Sequence, residues 1–142
     1  MSIKILALDM ERTLIDNAMN SCPRPGLRDF LMFCHERFER VALFTSVETP
    51  DARDVLEGLV RTGHVPVAFL NRLEFIEWTG GHKALEFVPN ATPNEVLLID
   101  DDAGWVRADQ RDRWIPIAAW DSGPDRELTR VRTVLEQWLV EN

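Results

Sequence analysis

Five short apolar runs, each closed by polar or turn residues, constrain this chain more than any other feature: residues 3–8, 41–44 (VALF), 65–70 (VPVAFL), 96–99 (VLLI) and 115–119 (IPIAA). Runs this short and this continuously apolar read as strands buried on both faces. Helical patterns fill the intervals. Residues 25–38 place Leu27, Phe30, Leu31, Cys34 and Phe38 on one stripe, behind Pro25 as a first-turn proline. Thr49 and Pro50 read as the N-cap and first-turn proline of a helix to about Arg61, with Val55, Leu56, Leu59 and Val60 inward. A last helix, from about Asp125 to Val140, buries Leu128, Val131, Leu135, Trp138 and Leu139. Strands alternating with helices predict an α/β fold, a Rossmann-like parallel sheet flanked on both faces by helices. The length of 142 residues suits one domain over 1–142, with no internal repeat or linker.

Sheets of this kind bind ligands beyond the carboxyl ends of their strands. Asp9 closes the first run, Thr45-Ser46 the second and Asp100 to Asp102 the fourth, so all three ends should share one edge. One acid after a strand is most simply a loop or cap residue. Three agreeing ends point to a site. Phosphoryl transfer needs a nucleophile, charge stabilisation around the phosphoryl oxygens and a proton donor for the leaving oxygen. Asp9 fits the nucleophile, since a carboxylate is already ionised at neutral pH. Its approach to a phosphate dianion requires a divalent cation, and Mg²⁺, hard and oxygen-seeking, suits a site to which Asp100 and Asp101 add acids. Thr45 can donate its hydroxyl to a phosphoryl oxygen, and Lys83 can place a point charge there from the start of a helix.

Other classes fit less well. The net charge of −8 argues against a nucleic-acid surface. No stretch reaches the length of a membrane span, and Asp9 and Glu11 interrupt the first apolar run too early for a signal peptide, so no membrane partner and a cytoplasmic location are expected. Cys22 and Cys34 read as reduced thiols. Cys22 and Arg28 frame a C-x5-R pattern, but Pro23 and Pro25 lack the amides that a phosphate-cradling loop needs. A receiver domain would carry its paired acids at the first strand and its lysine last, the reverse of the order here. His35, His64 and His82 show no zinc spacing. The tryptophans are mostly core candidates, with Trp78 and Trp105 near predicted loops.

The order acid box (Asp9, Glu11, Thr13), strand-Thr45, Lys83, strand-Asp100-Asp101 resembles the four motifs of the haloacid dehalogenase (HAD) superfamily. The stretches RPGLRDFLMFCHERFERVALFTS and IPIAAWDSGPDRELTRVRTVLEQWL are similar to the small C-terminal-domain phosphatases, the NLI-interacting-factor-like group. That resemblance implies Asp9 as nucleophile and metal ligand, and Glu11 as general acid/base with its backbone carbonyl on the metal. It also implies Thr45 and Lys83 holding the phosphoryl group, and Asp100 or Asp101 completing the Mg²⁺ site. Two residues depart from the group's pattern. Glu11 stands where aspartate is usual, and Asp101 where asparagine is usual. Asp101 matches the wider superfamily, including the magnesium-dependent phosphatases, which TPDARDVLEGL also resembles. Asp102 reads as an exposed loop or helix-start acid.

One helix takes up about half of the interval from Thr13 to Val41, and a helix–strand unit fills Thr45 to Lys83, leaving no room for a cap domain. A capless site is open and suits a bulky phosphorylated partner such as a phosphoprotein, although a small sugar phosphate also fits. Residues 14–24 and the surroundings of Val47 and Glu48 would select it. The expected function is a Mg²⁺-dependent phosphomonoester phosphatase acting through an aspartyl-phosphate. Because glutamate is longer than aspartate by about one C–C bond, ~1.5 Å, the other reading is an impaired HAD-like module that binds phosphate or a partner without turnover.

Overall fold

The computed structural model describes residues 3–141. Five parallel strands form one sheet: β1 (Ile5–Leu8), β2 (Arg40–Leu43), β3 (Glu74–Phe75), β4 (Val96–Asp100) and β5 (Trp114–Pro116), in the spatial order β3-β2-β1-β4-β5. Leu8 lies opposite both Leu43 and Ile99, so β1, β2 and β4 end level with one another. The strand order reverses between β1 and β4, the position where open α/β sheets form their ligand crevice.

The reversal also explains how the two faces are covered. The helices α1 (Leu27–Arg37), α2 (Thr49–Arg61), α3 (Val67–Arg72) and α4 (Glu127–Glu141) put their buried residues into one cluster with Leu6, Leu8, Val41, Leu43, Leu97 and Ile99. The alternate residues Ile5, Ala7, Ala42, Val96 and Leu98 face the other way. There they meet Leu85, Val88 and Val106, from the connections after β3 and β4, which hold only 3₁₀ turns such as Leu85–Phe87 and Ala103–Trp105. Right-handed crossovers place connections leading opposite ways along a sheet on opposite faces. Among the described residues, no helix is long and apolar enough to cross a membrane.

Four sequence expectations need correcting. Residues 65–70 are not a strand: Pro66 precedes α3, and the burial of Val65, Pro66 and Phe69 around an exposed Val67 and Ala68 follows a helical period. The third strand is instead the two-residue β3, whose Glu74 is held by the Arg40 guanidinium at 2.7 Å. Pro25 lies outside α1, because Gly26 takes the N-cap position at φ 84°; this left-handed conformation favours glycine. Thr49 is the first residue of α2 rather than its cap, which is Glu48, with Pro50 in the first turn. Lys83 stands on no helix; it precedes the Leu85–Phe87 turn by two residues.

Candidate active site

Asp9 follows β1 directly, and its amide still bonds to Ile99 O at 3.0 Å, so the sheet fixes where its side chain begins. Two donors orient the buried carboxylate. Lys83 Nζ reaches Oδ1 at 2.9 Å and the Thr13 hydroxyl reaches Oδ2 at 2.8 Å. Thr13 is placed by a tight turn in which the amides of Thr13, Leu14 and Ile15 converge on Met10 O. Within that turn Arg12 adopts φ 63°, uncommon for a residue with a side chain.

The end of β4 supplies the second half. Asp100 is buried and accepts Lys83 Nζ on Oδ2 at 2.5 Å and the Asp102 amide on Oδ1 at 3.0 Å. Carboxylate oxygens of Asp9, Asp100 and Asp101 lie within 4.8 Å of one another. The Thr13 hydroxyl also lies 3.4 Å from Asp101 Oδ1. Asp102, exposed, accepts the Gly104 amide and starts a 3₁₀ turn, in line with its reading as a loop acid.

Burial pushes the Asp9 carboxyl up to about 8, with Lys83 opposing the rise and Asp100 adding to it. Asp100 is also raised by burial, against Lys83. Desolvation thus works against the ionised Asp9 that a nucleophile needs, while Lys83 works for it. One ammonium does not offset the burial of this carboxylate set. Three hard oxygen donors close together, two of them buried and held against ionisation, suit a small divalent cation such as Mg²⁺.

Thr45 lies on the same sheet edge, two residues beyond β2. Its hydroxyl accepts the Val47 amide at 3.2 Å, and its carbonyl accepts Trp78 Nε1 at 2.9 Å. Lys83 is buried, and its amide bonds to Trp105 O at 2.7 Å. The edge thus brings together Asp9, Thr45, Asp100 and Asp101, with Lys83 reaching Asp9 and Asp100 from the following connection. Glu11 is placed differently. Its Oε2 accepts the Ala18 amide at 2.8 Å, which ties it to the loop after the acid box rather than to the three-carboxylate group.

Four further residues shape the site: Thr13, Arg24, Trp78 and Trp105. Thr13 was only a motif letter, yet it bridges Asp9 and Asp101. Arg24 is buried and sends its guanidinium to Arg12 O, Thr13 O, Ala118 O and Asp125, fixing the acid-box turn from behind. A buried arginine can only be recognised once its partners are known, and Asp125 lies far along the chain. Trp78 and Trp105, packed edge to face at 5.6 Å, line a groove of about 300 Å³ with Thr45, Val47 and Glu48. Their positions near loops were the signal available. Cys22 and Arg28 have separate partners: the nearby Asp16 carboxylate pushes the exposed Cys22 thiol up, and Arg28 bonds to Gly63 O.

A model of the NLI interacting factor-like phosphatase family matches residues 4–142. A search of the curated proteins finds no match. Among solved structures, the fission yeast RNA polymerase II CTD phosphatase Fcp1 in a variant bound to beryllium fluoride is 17% identical, with a TM-score of 0.61, over 98% of this chain and 52% of that one. A second Fcp1 structure, described as an essential RNA polymerase II CTD phosphatase, gives 16% and 0.60 over 98% and 50%. The chain therefore spans about half the length of these structures, and at this identity the likeness is one of fold.

Proposed function

The chain belongs to the NLI interacting factor-like phosphatase family, and from that premise we propose that it is a Mg²⁺-dependent phosphomonoester phosphatase working through an aspartyl-phosphate on Asp9. The observation that carries this reading is the meeting of Asp9, Asp100, Asp101 and Lys83 at one sheet edge, with Thr45 on the same edge. Asp9, Asp100 and Asp101, with the Glu11 carbonyl, would hold the cation, which when bound neutralises charge between carboxylate and phosphate.

The chain's own groups do the rest. Lys83 and the Thr45 hydroxyl hold phosphoryl oxygens. Thr13 keeps the Asp9 carboxylate in one orientation. An Asp9 oxygen attacks phosphorus, the bond to the ester oxygen breaks, and the leaving oxygen takes a proton from Glu11. Glu11 then accepts a proton from water as that water attacks the phosphoryl group, releasing phosphate and restoring Asp9. Glu11 would work through Oε1 while the Ala18 amide keeps Oε2. The open edge suits a phosphorylated protein, and the whole 1–142 stretch acts as one domain.

The contact between Glu11 and Ala18 also favours a second reading, in which Glu11 serves the loop and the site binds phosphate without turning it over. Hydrolysis of p-nitrophenyl phosphate by the purified protein separates the two. Mg²⁺-dependent turnover that Asp9→Asn abolishes supports the phosphatase. Absence of turnover over that blank, with activity appearing in Glu11→Asp, supports the binding module.

A further inference from the structure

Apart from Thr45, the groove's lining has no part in the chemistry above. Its walls come from the connection between β2 and α2 and from the segment after β3, with Trp105 closing one side. Among the described residues, the charged side chains lining it are two exposed acids, Glu48 and Glu77, and its aromatic walls are the half-buried rings of Trp78 and Trp105. Acids beside indole rings are the surroundings that an organic cation prefers, since a ring face attracts positive charge most strongly in tryptophan. Two contacts tie the groove to the acidic centre. Trp78 Nε1 bonds to Thr45 O, and Lys83 Nζ lies 5.8 Å from the Trp105 ring centroid.

The charge of the whole chain points the same way. A net charge of −8 repels an anionic substrate before contact, and positive charge beside the phosphate offsets that repulsion. We infer that the groove is a specificity subsite for a basic side chain, lysine or arginine, flanking the phosphorylated residue of a peptide substrate. A cavity of about 300 Å³, open to solvent and contiguous with Thr45, accepts one long side chain while the peptide runs on past the edge of the sheet. The inference rests on the phosphatase reading in one respect only: the phosphate must sit at the Asp9 edge.

The test is a binding measurement that does not need turnover. Two fluorescein-labelled phosphoserine peptides, identical except for arginine or alanine on either side of the phosphoserine, are titrated by anisotropy into Asp9→Asn protein with Mg²⁺. The arginine peptide should bind about tenfold tighter. Adding Glu48→Gln and Glu77→Gln should bring the two peptides within about twofold of each other. Neutralising the remote exposed acids Glu39 and Glu57 instead, for the same change in net charge, should preserve the preference. Equal affinities at the outset, no binding of either peptide, or a preference that the groove variants leave intact would overturn the subsite. So would phosphocholine competing as well as the arginine peptide, since the cation would then come from a small molecule. Turnover of p-nitrophenyl phosphate by the unsubstituted protein, measured alongside, keeps the two ideas apart. Turnover without arginine preference removes the subsite alone, and arginine preference without turnover removes the hydrolysis alone.

Discussion

Burial disfavours the ionised form of Asp9, with Lys83 opposing the shift and Asp100 adding to it. The carboxyl is raised to about 8, so between about pH 4 and pH 8 the folded bare protein keeps a proton that the unfolded chain releases. The folded state binds more protons in that window, and its stability from this group falls as pH rises. Asp9→Asn has no proton to lose there. In EDTA, the unfolding free energy of the unsubstituted protein, from urea titration, should therefore decline from pH 5 to pH 8 relative to that of Asp9→Asn, by a difference on the order of a few kcal/mol. Mg²⁺ should restore much of the loss by favouring the ionised form. Parallel pH curves for the two proteins would show that Asp9 ionises freely in the fold. Asp9 itself was legible in the sequence because a strand end marks its place without knowledge of any neighbour. Its protonation was not, because desolvation depends on what surrounds the strand end, including Lys83 and Asp100 from distant segments.

At the scale of elements, the acid-box turn depends on a clamp drawn from the other end of the chain. The Arg24 guanidinium, buried, bonds to Arg12 O and Thr13 O in the turn and to Asp125 just before α4. Arg24→Ala would leave those carbonyls and the carboxylate without their donor, and should destabilise the protein by ~3–5 kcal/mol, read from urea midpoints. A loss under about 1 kcal/mol would mean that the turn holds itself. Hydrogen bonds from Arg24 keep the Asp125 carboxyl below the usual range, so its contribution is present above about pH 4 and disappears as pH falls further. Asp125→Asn should accordingly flatten the acid limb of the stability profile. Elements whose identity rests on a local period, such as α1, α2 and α4, were readable from the sequence. VPVAFL was not, since six apolar residues carry no period of their own. Its helical burial arises only where α3 meets α1 and α2, and β3, short and partly polar, gives no apolar run to read.

Taken whole, the molecule is a sheet shared by two unequal cores. The α-helices pack on one face, while 3₁₀ turns and the rings of Trp78 and Trp114 pack on the other. Each central strand serves both: Leu6 and Leu8 point into the first cluster, Ile5 and Ala7 into the second. Exposing either face would strip one side of β1, β2 and β4 while their backbone ladder still held the other, so neither core has an independent boundary. Urea unfolding should therefore be a single transition. Far-UV circular dichroism, weighted to the α-helices of the first face, and tryptophan emission, weighted by Trp78 and Trp114 to the second, should give coincident midpoints. Emission that changes first would mean that the 3₁₀-covered face opens as a separate unit. In that event the Trp78–Trp105 groove and Lys83, whose amide bonds to Trp105 O, would come apart together, and peptide selectivity and phosphate binding would be lost at the same urea concentration.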